Sequence, residues 1–191
     1  LSWFSLALYP RRLAITGVQA LIISGRFCPA LLLNRESGWR FRGAGRAASA
    51  RLVRSVASKY WERIECYQDP SRPFAVEGVL KKSRHEDPEV TAAFGTQFPA
   101  SSNFLLHYGP KWKLNKGKVV VLAHGASDNA TRAWAAPEML LGKHGTPGLL
   151  QALEAAGFRV FAVTFPHKHG NLFYEAQLLA DAIELARLAT G

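Results

Sequence analysis

Cysteine is nearly missing from this chain: Cys28 and Cys66 are the two among 191 residues. Set so far apart, they give no disulfide framework and no cysteine-rich metal site. Lysine is absent from residues 1–58, where Glu36 is the single acid. The apolar stretch 13–23 is too short for a membrane-spanning helix, which needs about 20 apolar residues. There is no internal repeat, and Gly-x-Ser-x-Gly occurs nowhere.

What is present divides near residue 58. Residues 1–58 carry nine Arg against one acid, a net of +8. The remaining residues carry fifteen basic and thirteen acidic side chains, a net of +2. The overall charge of +10 therefore belongs to the front end, and no nucleic-acid partner is expected for the rest. Residues 38–54 alternate Arg with Gly, Ala and Ser, a composition that suits a transit peptide. Arg11-Arg12 ahead of 13–23 suits a secretory signal equally well. The lack of lysine before Lys59 also fits untranslated or out-of-frame sequence joined to a gene fragment. We therefore expect two units. One is a basic extension over 1–58 of uncertain structure (targeting, disordered or non-native), and the other spans 59–191. Secreted and cytoplasmic placements both stay open.

The most informative stretch is 118–125, Lys-Val-Val-Val-Leu-Ala-His-Gly. Val119, Val120, Val121, Leu122 and Ala123 form a short apolar run rich in β-branched residues. Such a run predicts a strand buried on both faces, as in a parallel sheet. Gly125, Ala126, Ser127, Asp128 and Asn129 follow it, all small or turn-forming. A buried strand ending in small residues places backbone N–H groups at a sheet's carboxyl edge, where open α/β folds bind ligands.

Thr146-Pro147 reads as an N-cap followed by proline at the first helical position. Leu149, Leu150 and Leu153 then mark a helix, and Gly157 suits its left-handed terminator. Residues 158–165 are a second β-rich run closed by Pro166. Over 172–189, Leu172, Ala176, Leu179, Ile183 and Ala186 fall at helical spacing, with Glu175, Asp181, Glu184 and Arg187 on the other face. The result is a βαβα unit with parallel strands and a right-handed crossover.

In this order the segments resemble the opening part of an α/β-hydrolase, most of all a lipase. The resemblance rests on the strand with His124-Gly125-Ala126, the helix-strand pair over 148–166, and Ala180-Asp181-Ala182-Ile183 before Thr190-Gly191. It covers about two fifths of the 191-residue chain as residues 118–191, and extends to about 103–191 if an antiparallel strand pair precedes them. It implies an α/β fold class and the cleavage of carboxylic esters, triacylglycerols among them. In that chemistry negative charge grows on the ester oxygen, and backbone donors stabilise it. One donor belongs to the loop after this early strand. By position it is the N–H of Ala126. Gly125 allows close approach of the backbone, and His124 supports the loop rather than acting as a base. Alternatively, His-Gly simply ends a strand with a turn.

The family's nucleophile elbow, acid and histidine find no counterpart here. Ser127 lies two residues after Gly125, but Asn129 stands where the elbow needs its second glycine. The chain, which starts with Leu1 rather than Met and stops at Gly191, is accordingly expected to be an incomplete gene product without turnover of its own. The substrate class implied is a small-molecule ester or lipid, with no cofactor and with contact to a lipid interface open. A non-catalytic binding module on the same scaffold is one alternative. A basic nucleic-acid or membrane-surface protein acting through 1–58 is the other.

The remaining segments say less. Residues 53–67 suggest a short helix, 81–89 a solvated charged face, and 103–108 a strand. Residues 112–118 would link 103–108 to the central strand, and in the resembled fold the two would be an antiparallel pair at the sheet edge. Residues 134–145 look like an excursion between strand and helix. His167-Lys168-His169 is thin evidence for a metal, and an exposed position at the rim suits it better. Asp128-Asn129 suits local capping.

Overall fold

The computed structural model describes residues 49–71, 84–136, 147–168 and 170–191. Its strands are β1 (Arg51–Val56), β2 (Arg63–Gln68), β3 (Asn103–Tyr108), β4 (Val119–Ala123) and β5 (Arg159–Thr164). Its helices are α1 (Pro88–Phe94), α2 (Leu149–Ala155) and α3 (Leu172–Thr190), with one turn of π-helix at Thr131–Ala135. The strands form one mixed sheet in the order β1-β2-β3-β5-β4. The β4–β5 pair is parallel, with Val121 opposite Phe161, and every other pair is antiparallel. The α/β class and the parallel βαβα unit are therefore as the sequence implies. Among the described residues, no helix is long and apolar enough to cross a membrane.

Side chains alternate between two faces of the sheet. Ile64, Leu105, Val120, Leu122, Val160 and Ala162 pack toward α1, α2 and the π-helical turn. Phe104, Leu106, Tyr108, Val121, Phe161 and Val163 pack toward α3. With both faces covered, β4 and β5 read as unbroken apolar runs.

Several expectations need correction. Residues 53–67 are not a helix but most of the β1–β2 hairpin, so the sheet takes its first strand from the Arg-rich stretch. The period there is two: Ile64 and Cys66 face one core, and Glu65 and Tyr67 face the other. Residues 112–118 link β3 to β4 as expected, but the two strands do not pair, because β5 lies between them and β3 is inside the sheet rather than at its edge. Trp112 packs on Tyr108 and Phe161. In the charged run, His85 is buried, while 81–83 lie outside the described residues.

Helix α2 begins two residues later than the Thr-Pro signal suggests. Its N-cap is Gly148, and Thr146 lies outside the described residues. A Cβ on Gly148 would sit 2.1 Å from the Trp134 carbonyl oxygen, so close approach of the π-helical turn demands glycine. Gly157 has φ +85° and does terminate the helix. Trp134 belongs to the buried π-helical turn, and 137–146 lie outside the described residues.

Helix α3 buries a face rotated from the expected one: Ala186 is shared, and Leu179 and Ile183 are half-buried against the same core. Tyr174, Leu178, Asp181, Ala182 and Ala186 point inward, whereas Leu172 is 73% exposed. Asn171 caps it through its side-chain oxygen, which accepts from Phe173 and Tyr174 N–H.

Candidate functional site

The β4 and β5 strands end side by side, because Ala123 is paired with Val163 in the parallel register. The loops that follow them, 124–130 and 165–171, therefore meet at one edge of the sheet. His124 joins them. Its Nε2 accepts the Phe165 N–H at 3.3 Å, and its Nδ1 lies 2.8 Å from the Gly125 carbonyl oxygen. A backbone N–H at Nε2 requires a lone pair there, so the proton sits on Nδ1 and is donated to Gly125. Burial lowers the pKa of His124, outweighing the opposing pull of the Gly125 carbonyl and Asp128. The neutral ring packs edge-on against Phe165 at 5.4 Å.

Beyond Gly125 the loop turns sharply. Ala126 is exposed at its tip, and Ser127 holds a left-handed φ of 63°. Ser127 N–H donates to the Lys168 carbonyl at 2.8 Å, a second tie between the two loops. The Ser127 carbonyl accepts from the Arg132 guanidinium, whose Nε also donates to Asp128 Oδ1 at 2.7 Å. Asp128 Oδ1 accepts Asn129 N–H, and Asn129 Oδ1 accepts Arg132 N–H, the expected local capping.

The base of the loop is sewn into the sheet. Ala130 N–H donates to Thr164 Oγ1 at 3.0 Å, and His107 Nε2 bonds the same oxygen at 2.8 Å. Trp61 Nε1 donates to Thr131 Oγ1 at 3.0 Å. Burial pushes the His107 pKa down to about 3. On the β5 side, His85 Nε2 donates to the Pro166 carbonyl at 2.9 Å, and Ser101 Oγ bonds His167 Nε2 at 2.5 Å. Burial again lowers the pKa of His85, against the raising effect of that carbonyl.

His124, Gly125 and Ala126 thus share one rigid turn at the carboxyl edge. His167 is buried rather than exposed, which corrects its expected place at the rim; His169 lies outside the described residues. Among the described residues, no group of three His, Cys, Asp or Glu could hold a metal. Cys66 is buried, and burial pushes its thiol up to about 11, leaving it a core residue.

Sequence reasoning overlooked His85, Ser101, His107, Arg132 and Thr164. Their partners lie up to 81 residues away, and only the local Asp128–Arg132 pair at helical spacing carried a readable signal. No family model matches the chain, and neither a curated protein nor a solved structure matches it.

Proposed function

We propose that this chain is part of a carboxylic-ester hydrolase of the α/β-hydrolase type, lipase-like, and that it carries one side of the oxyanion site. The single observation behind this reading is the braced turn 124–127 at the carboxyl end of a parallel strand pair. Two further features agree with it. The order β2-β3-β5-β4, antiparallel until its last pair, has the buried apolar strand before the loop. Ser127, held left-handed by Arg132 and Lys168, also fixes the orientation of the peptide ahead of it.

In the reaction, the carbonyl carbon of an ester becomes tetrahedral and its oxygen gains charge. A backbone N–H already aimed at that oxygen stabilises the transition state without reorganising. Ala126 N–H is the donor in this reading, Gly125 gives clearance for the substrate, and His124 holds the turn. The nucleophile, the acid and the base have no counterparts in residues 1–191.

Amide shifts test the reading. Titration of the 15N-labelled chain with methyl butylphosphonate, a tetrahedral anion with a short apolar arm, should move the amides of Gly125, Ala126 and Ser127 first. Shifts confined to the Arg-rich front end would contradict it.

A further inference from the structure

We propose that residues 164–168, leaving β5, are a latch that mild acid opens. Histidines from three other segments hold that stretch against the edge of the sheet, and each of its residues is tied. His107, on β3, bonds Thr164 Oγ1 through Nε2. His124, after β4, accepts the Phe165 N–H, and His85, ahead of α1, donates to the Pro166 carbonyl. His167 itself bonds Ser101, and the Lys168 carbonyl accepts the Ser127 N–H. All four histidines are buried.

The weak point is His124. Its Nδ1 donates to the Gly125 carbonyl and its Nε2 accepts from Phe165, an arrangement open only to the neutral ring. A second proton sets N–H against N–H, and the bond to Phe165 is lost. His85 and His107 meet oxygens instead, which still accept from a charged ring. Burial is what disfavours charge on those two, and water reaching the rings removes that restraint.

The surrounding charges favour release once it starts. Burial has the largest effect on His124; the Gly125 carbonyl and Asp128 favour its charged form, and His85 and Arg132 oppose it. Burial also leads at His85, where the Pro166 carbonyl and Asp87 favour charge while Lys168 and His167 oppose it. His107 meets burial and the ring of His124. Lys168 and His167 belong to the latch, so its departure takes both opposing groups away from His85. Glu175, on α3, bonds the Gly170 N–H beyond the latch; burial raises it to about 7, and it resists acid release only if Gly170 moves too. The closed form disfavours protons that the open form takes up near the ordinary 6.5. Acid therefore favours opening, by up to about tenfold per pH unit for each histidine freed. Opening also reaches the turn 124–127, because Ser127 loses Lys168 and His124 loses Phe165. The consequence for the oxyanion donor rests on the function proposed above, and the latch itself does not.

Amide hydrogen exchange of the full chain at about pH 7 and about pH 5.5, expressed as protection factors, tests this without any ligand. The Phe165 and Ser127 amides should lose protection about threefold or more on acidification. Dilute urea should change them much less than the amides within β5, as in a local opening. His124→Gln offers the Phe165 N–H an amide oxygen and takes no proton, so its Phe165 protection should change less with pH. Equal protection at the two pH values, a urea response matching that of β5, or an equally steep fall in His124→Gln would each overturn the proposal. If His124→Gln does not fold, the wild-type comparison decides alone.

Discussion

The imidazole of His124, at the end of β4, accepts the backbone N–H of Phe165, at the end of β5, across 3.3 Å. The two parallel strands are thereby tied by a side chain just beyond the point where their ladder stops. Truncation as His124→Ala leaves the buried Phe165 N–H without an acceptor, which costs about 1–3 kcal/mol. Urea unfolding should show that loss, and the Phe165 amide should exchange faster with solvent. An unchanged exchange rate would mean that the bond does not hold the loop.

Stability should fall as the solution is acidified from pH 7 to pH 5. His85, His107 and His124 all have pKa values lowered by burial from the ordinary 6.5. The unfolded chain takes up protons at these sites below about 6.5, and the folded chain does so only at lower pH. Their stabilising effect is complete above that pH and is lost below it; for His107, held down near 3, the slope is about 1.4 kcal/mol per pH unit. Glu175 acts the other way: burial raises it to about 7, so the folded state holds its proton in the same window. Burial raises Glu154 as well. His85→Gln should flatten the slope measured by urea midpoints at several pH values, and a slope unchanged by it would contradict the assignment.

The turn at Ser127 should discriminate sharply among side chains. A left-handed φ of 63° costs an L-residue about 1–2 kcal/mol, and more for a β-branched one. Ser127→Val should therefore be less stable than Ser127→Gly by about 1–2 kcal/mol. Thermal unfolding of the two variants measures the gap, and equal stability would show a turn of another shape.

How much of this was legible depends on what each strand buries. β4 and β5 are apolar on both faces, so their runs and the parallel pair could be read directly. β2 could not be read because one buried face is polar. Arg63 Nε donates to Glu65 at 2.7 Å and Tyr67 Oη donates to it at 2.6 Å. Burial raises the Glu65 pKa, but these bonds outweigh it and leave the carboxylate below its ordinary range. Satisfied inside the fold, the three side chains look in sequence like a solvated face. The inward row of α3 was read only in part for a related reason: Tyr174 and Asp181 are polar yet occupy core positions beside Ala186. At the site, the turn itself was visible, since His124, Gly125 and Ala126 are consecutive. Its supports from β3, the α1 approach and β5 were not, because only folding brings His107, His85 and Thr164 beside it.

The central claim is that the N–H of Ala126 receives a developing oxyanion. Its most direct measurement is the affinity of methyl butylphosphonate for the wild type compared with Ala126→Pro, which removes that one hydrogen. A charge-assisted bond of about 1.5–3 kcal/mol predicts binding weaker by about tenfold or more in the variant. Equal affinity in the two proteins would contradict it.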